Sequence, residues 1–475
     1  MFAAMNAHTP VPGYPELTLQ RQSEISLVDQ IVQALRQQIE RQTLKPGARL
    51  LSVRQFATQY QVSTFTVVEA YERLINLGLT EARRGAGYFV KKRAVSDLNT
   101  PVREPVFDAL SPDWYSGVSA SLLAGSGWLP PEWYGADTLP DAVRQAMRIP
   151  AQRLRGYGHP AGFPALRQHL AQTLSQDLFT VSADQILLTH GATHAFDLIL
   201  RCLCKPGDSV MIETPGYSNL MALVRAHGCQ LIGIPRTADG LDLQALQRLA
   251  AEHKPRLMFV NTVLQNPIGT SLSQPQAHRL LALAEQHQFY LVEDDIYREL
   301  SVRNAPSLAA LDGLQRVFRI GSYSKTLSPS LRVGSVCVPG DMMPVLLQMK
   351  MLSGLTTSEI NERAVLHAIQ SGQYRRMLER LRRHLDLAQQ EVQEQFASLG
   401  LQLLAKPEGG MFLSAGLPDS GLDAREVADR ARAEGILLAP ATFFETGISN
   451  RCWWRFNVAH ANDARLFQFL RKLLQ

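Results

Sequence analysis

Cysteine is scarce and scattered in this chain. Its five residues, Cys202, Cys204, Cys229, Cys337 and Cys452, are odd in number and lack metal-ligand spacing. That argues against a disulfide framework and against any metal site, and it reads as reduced core thiols in a cytoplasmic protein. No run of about 18 apolar residues occurs, so no transmembrane helix is expected. The N-terminus, Met1-Phe-Ala-Ala-Met-Asn6, lacks the basic stretch and apolar core of a secretory signal. An excess of one charge is also nearly missing, at a net +5 over 475 residues. What excess there is sits at one end. Residues 1–93 hold 12 Lys and Arg against 7 Asp and Glu, and the rest of the chain holds 36 of each. A basic end on a neutral body points to a polyanion-binding module joined to something larger. The length itself calls for at least two domains, and no internal repeat is found.

After an N-terminal arm (1–21), the segment 22–93 carries helical and then strand-like patterning. Leu27, Ile31, Leu35 and Ile39 recur four apart, which predicts a helix over 26–42, stopped by Lys45-Pro46-Gly47. Ser52 can cap a second helix that turns Val53, Phe56 and Ala57 inward. Ser63 can cap a third running to about Asn76, with Val67, Ala70, Tyr71, Leu74 and Ile75 on its buried side. Gly78 ends it, and two short strands at 79–82 and 88–90 flank a basic, Gly-rich tip. Three helices and such a hairpin make a winged helix-turn-helix. The third helix would present its first turn to the major groove of double-stranded DNA. The expected DNA-facing set is Arg49, Ser52, Arg54, Ser63, Thr64, Thr66, Arg84, Gly85 and Gly87, with Arg49 and Arg54 meeting phosphates and the wing tip entering the minor groove.

The wording of this module resembles the GntR family of bacterial regulators. The family's helix openings appear as Leu51-Ser-Val-Arg54 and Ser63-Thr-Phe-Thr-Val67, and its wing as Arg83-Arg-Gly-Ala-Gly-Tyr-Phe-Val90. Two positions depart from the pattern. Leu51 stands where proline is usual, and Thr64 stands where most members carry an arginine, so a guanine contact from that arginine does not carry over.

Residues 94–130 lose periodicity and gather proline, serine and glycine, as an interdomain linker does. Trp114, Trp128, Trp133 and Tyr134 are too apolar for a free tether, and are expected to dock the linker's end on the body. From 131 to 475, strand-like runs alternate with helical patterns, which gives an α/β domain with a mostly parallel sheet. Strands are expected at 186–189, 209–213, 230–234, 257–261, 290–294, 317–321 and 334–338. Long helices follow, and a smaller subdomain is expected over about 345–475.

The polar motifs fall where strands end. In Gly321-Ser-Tyr-Ser-Lys325, a lysine amine able to form a Schiff base is flanked by hydroxyls, and Arg332 follows. Ser322 and Arg332 can neutralise a phosphate. The turn Gly191-Ala192-Thr193 opens a helix, and its backbone N–H groups suit a phosphate too. Asp294 can keep a pyridine nitrogen protonated, and Asn266 and Tyr297 can bond a phenolate oxygen. Together these residues ask for pyridoxal 5'-phosphate (PLP).

In order and spacing they resemble the fold-type I aminotransferases, with an interval of 28 residues from Asn266 to Asp294. The resemblance implies that Lys325 holds the cofactor aldehyde and that Asp294 binds the ring nitrogen. It implies that Asn266 and Tyr297 bond the ring oxygen, and that Ala192, Thr193, Ser322 and Arg332 hold the phosphate. By the same resemblance Tyr217 stacks on the ring, Tyr157 reaches the neighbouring subunit's phosphate, and Arg455 grips a substrate or effector carboxylate. Pro440-Ala441 departs from the family, where glycine usually follows the proline.

A GntR-like winged helix ahead of such a body resembles the MocR subfamily of transcription regulators. That resemblance implies a domain-swapped homodimer and a regulator that senses PLP or a small amino compound by aldimine exchange at Lys325. It implies at most residual transaminase activity. The residues leave open an active aminotransferase carrying a tethered DNA-binding module. They name neither operator nor effector.

Overall fold

A computed structural model describes residues 17–91 and 122–474, apart from 24, 42, 136, 418–419 and 448–450. The chain divides into two compact units, 1–104 and 105–475. Most of the arm, most of the segment read as linker, and Trp114 lie outside the described residues.

The first unit contains α1 (Leu27–Glu40), α2 (Val53–Tyr60), α3 (Thr64–Asn76), β1 (Thr80–Arg83) and β2 (Gly87–Val90). Each helix starts where a hydroxyl can replace a missing partner for the first-turn N–H groups. Ser26 caps α1, Ser52 forms a capping box with Gln55, and Ser63 Oγ accepts from Thr66 N at 3.0 Å. Ile31, Leu35, Phe56, Val67, Ala70, Tyr71 and Leu74 form the core, as the helical spacing requires. Val53 and Ile75, expected inward, are only partly covered, because each lies near its helix's end. Tyr71 donates its hydroxyl to the Leu51 carbonyl at 2.9 Å, which ties α3 to the start of α2. β1 and β2 pair antiparallel, and Gly85 and Gly87 turn the tip with φ of +76° and +105°, a region open to glycine.

The second unit is built on an eight-stranded sheet. Its strands are β3 (Ile186–Thr189), β4 (Ser209–Thr214), β5 (Gln230–Thr237), β6 (Gly240–Leu241), β7 (Leu257–Asn261), β8 (Tyr290–Asp294), β9 (Val317–Ser322) and β10 (Gly334–Cys337). Their order is β3-β10-β9-β8-β7-β4-β5-β6, and only β10 and β6 run against the rest. Successive residues of β7 alternate between two cores: Leu257 and Phe259 join one, Met258 and Val260 the other. Both faces are therefore buried, which is why the strands read as apolar runs with no alternation. Helix α4 (Ala192–Leu203) and α5 (Ser218–Ala226) pack on one face, and α6 (Gln274–Gln286) on the other.

Three helices follow, α7 (Met343–Gly354), α8 (Glu359–Gln370) and α9 (Gly372–Ser398), and then a small antiparallel sheet. That sheet holds β11 (Gln402–Leu403), β12 (Phe412–Gly416), β13 (Ala439–Pro440) and β14 (Trp453–Asn457), in the order β11-β12-β14-β13. Residues 122–129, the end of the segment read as linker and expected to dock on the body, are packed into it as a strap. Leu122 bridges to Ile436, Gly125 N donates to Leu437 O at 2.6 Å, and Ala124 O accepts from Asn457 N at 2.7 Å. Glycine and serine there allow the strap to run against β13, where a Cβ on Gly125 would lie 2.4 Å from Ala439 N.

Candidate functional site

The parallel strands β7, β8 and β9 end together, with Asn261 opposite Asp294 and Asp294 opposite Ile320. Asn261 organises this edge. Its side-chain amide donates to Asp294 O at 2.7 Å, and its Oδ1 accepts from Asn266 N at 2.9 Å. Glu213 in turn accepts from Asn261 N at 2.9 Å, and the Arg236 guanidinium holds both Glu213 and the Asn261 carbonyl. A buried ion pair of this kind is costly to break, because the surviving charge is left without compensation. Here it fixes the two loops that carry Asp294 and Asn266.

Above that edge lies a cleft of about 720 Å³, part of it open to solvent. Tyr217, Asn266, Asp294, Tyr297, Lys325 and Arg455 line it together. Six of the sequence-derived residues thus meet in one place. Tyr217 arrives on the turn before α5, and Lys325 on the loop after β9. Arg455 comes from β14 of the small sheet, where it pairs with Ser414 and Ala439. Its guanidinium lies between the Phe412 and Phe444 rings, 4.4 and 4.8 Å from their centroids. It donates to Asn266 Oδ1 at 3.0 Å and to the Gly125 carbonyl at 2.6 Å. Lys325 Nζ donates to the Gly127 carbonyl at 2.5 Å.

Ala192, Thr193, Ser322 and Arg332 form the adjoining group. Strand β10 lies between β3 and β9, and Gly334 pairs with both Thr189 and Ser322. That register brings the first turn of α4 beside the Ser322 loop. Arg332, left-handed at φ +53°, lays its guanidinium over the turn, donating to His190 O at 3.2 Å. A Cβ on Gly191 would come 2.8 Å from Arg332 Nη2, so the glycine keeps the cradle open. Burial lowers the His190 and His194 imidazoles, His194 to about 4, where Asp197 opposes the shift. Helix N–H groups and an arginine fit a phosphate dianion.

The opposite end of the cleft fits a cationic ring nitrogen. Burial pushes the Asp294 carboxyl up to about 7; the Ile296 N–H opposes this, Asp295 and Glu213 add to it, and Lys325 opposes it. Burial lowers the Lys325 amine to about 8, helped by Arg455 and opposed by Asp294. A raised carboxyl pKa has a definite sign. The folded state holds a proton that the unfolded state has lost, so stability falls as pH rises from about 4 to about 7 and is flat above. In cofactor-free protein, Asp294→Asn is expected to be the more stable form above pH 7, by up to ~4 kcal/mol, with the difference vanishing below pH 4. Thermal denaturation of both proteins across pH 4–8 checks this.

Gly125, Gly127, Trp128, Asn219, Phe412, Phe443 and Phe444 were not legible as site residues. The first three sit in a Gly-Ser-rich stretch with the composition of a linker, and the others carry no local motif. Tyr157 is not among the residues lining the cleft and is 84 % exposed. In the first unit Arg49, Arg54, Thr64 and Arg84 are exposed around the α3 start and the wing. The Ser52 and Ser63 hydroxyls are already engaged as helix caps, Ser63 with Thr66 Oγ1 at 2.7 Å.

Comparison with known proteins agrees with both units. Residues 132–473 match the aminotransferase class I and II family, and residues 27–90 match the bacterial regulatory proteins of the gntR family. The uncharacterized HTH-type transcriptional regulator YdcR of Escherichia coli is 30% identical over 460 residues, 94% of this chain and 97% of that one. The probable rhizopine catabolism regulatory protein MocR of Rhizobium meliloti is 28% identical over 382 residues, 77% of this chain and 76% of that one. Among solved structures, LysN, the alpha-aminoadipate aminotransferase of Thermus thermophilus complexed with N-(5'-phosphopyridoxyl)-L-leucine, superposes with a TM-score of 0.68 at 26% identity. The match covers 76% of this chain and 92% of LysN. Fold and site thus define a winged helix joined to a PLP-binding aminotransferase body. The chain belongs to the aminotransferase class I and II family and, by its match to YdcR over nearly its full length, to the HTH-type transcriptional regulators, with MocR among its relatives.

Proposed function

We propose that this PLP-dependent, DNA-binding regulator senses PLP or a small amino compound at Lys325 and reports occupancy through the 122–129 strap. One observation carries the reading. The two cationic groups of the cleft, Lys325 and Arg455, both donate to carbonyls of that strap, Gly127 and Gly125. When bound, PLP supplies an aldehyde open to amines and a ring that draws electrons. Lys325 offers the amine that holds the aldehyde, Asp294 holds a proton at the ring nitrogen, and Arg455 offers a fork for a carboxylate. A ligand that engages either cation takes a donor from the strap. Asn457 Nδ2 still holds Trp128 O at 2.7 Å, so the strap is released at its glycines and kept at its end. Upstream, the chain leads from the strap to the DNA-binding unit. A ligand that favours one strap position thereby favours one arrangement for DNA.

The working form is a domain-swapped homodimer acting in the cytoplasm, where its DNA is. Support for a second copy comes from apolar side chains on α7 and just after it, Leu352 being 75 % exposed, and from the outward Tyr157.

The test measures affinity for the DNA upstream of the chain's own coding region, at fixed salt, with and without PLP and a panel of amines. A change of about 5- to 150-fold on adding cofactor or amine is expected. Unchanged affinity would remove the sensing reading. Transamination at about 1–10³ s⁻¹ with any amino acid and 2-oxo acid pair would make the chain an enzyme as well.

A further inference from the structure

Phe65 is the second residue of α3, in the turn that a winged helix of this family presents to the major groove. Its side chain is 76 % exposed, more than Ile25 at 47 % or Leu77 at 53 %, the other exposed large apolar residues described in this unit. The core beneath is complete without it, closed by Val67, Ala70 and Tyr71 from the same helix. A phenylalanine ring left in water contributes nothing to folding, and its burial against a partner is favourable.

The surroundings say which partner. Thr64 precedes it, in the position where an arginine would read guanine, and the Ser63 and Thr66 hydroxyls are bonded to each other. Arg49, beside the wing at Gly87, and Arg54, in the first turn of α2, are exposed and suited to phosphates. Of the groups that base pairs show in the major groove, the thymine C5-methyl is the apolar one.

We infer that Phe65 is a base-reading residue, packing its ring on a thymine methyl in each operator half-site. This rests on the DNA-binding role of the first unit and specifies what that unit reads. The arginines set affinity and register on the backbone, and Phe65 selects sequence by an apolar contact in place of a guanine fork.

The experiment selects duplexes from a random library with the full-length protein at fixed salt, then replaces each selected thymine in turn by deoxyuridine, which lacks only the methyl. Wild type is expected to lose about 4-fold in affinity at one thymine per half-site, the value of one buried methyl group. Phe65→Ala is expected to bind thymine and uracil duplexes equally, while Phe65→Leu keeps a methyl preference. Circular dichroism checks that both variants keep the helical content of wild type, as an exposed position allows. Tight binding with no thymine whose methyl matters, or methyl sensitivity that survives in Phe65→Ala, overturns the inference and leaves the DNA-binding role standing. Failure to select any duplex overturns both.

Discussion

Lys325→Ala is expected to lose the visible band of cofactor bonded to the lysine amine, with the fold intact. The reason lies in where the amine sits. An ordinary lysine at pH 7 is almost entirely protonated and a poor nucleophile. Burial in the cleft and the Arg455 charge bring this one down to about 8, so about a tenth of it is neutral at pH 7. No other lysine lines the cleft among the described residues, so nothing substitutes for it. Lys350, also lowered to about 8, donates instead to Thr357 Oγ1 at 3.1 Å. Lys350→Ala is the control: it keeps the band. A band that persists in Lys325→Ala would sink the assignment of this lysine.

Arg455→Met is expected to weaken amino acids that carry an α-carboxylate by about 30-fold or more, since a buried charge-assisted pair is worth about 2–5 kcal/mol once one partner is cut away. Simple amines, which have no carboxylate to place, keep their affinity. The distinction arises from the arginine's setting. The Phe412 and Phe444 rings hold the guanidinium on both sides, and Asn266 Oδ1 orients it. A side chain held this way loses little freedom when a ligand binds. Methionine fills the slot between the rings without a charge. Arg455→Lys restores charge but not the planar fork, and recovers only part of the affinity. Spectral titration of the loaded protein with L-amino acids and the matching decarboxylated amines reads both outcomes. Equal weakening of the two ligand sets would show that Arg455 shapes the cleft without gripping a carboxylate.

Much of this was written in local patterns. Helices α2 and α3 start at Ser52 and Ser63, which the sequence offers as caps, because a hydroxyl before an apolar-periodic stretch satisfies the first-turn N–H groups whatever surrounds it. The strands β7 and β8 fall where the apolar runs put them, since strands buried on both faces need nothing but continuity. Lys325, Asp294, Asn266 and the Gly191 turn were legible because each is a polar motif at a strand's end, where sheets of this kind bind ligands.

Other features have no local signal. Arg455 lies 130 residues beyond Lys325 and meets it only because β14 is central in the small sheet. The Gly125 and Gly127 carbonyls are backbone groups, so no side chain advertised them, and their composition is that of a tether. The Arg236, Glu213 and Asn261 network joins three strands that residue spacing cannot relate. By itself the sequence determined the two units, the caps and the cofactor chemistry, because helix caps, strand runs and strand-end motifs act over a few residues. Only the tertiary structure decided that the strap closes on Lys325 and Arg455 and that Phe65 is left outside a finished core, because contact and exposure depend on what the rest of the chain brings alongside.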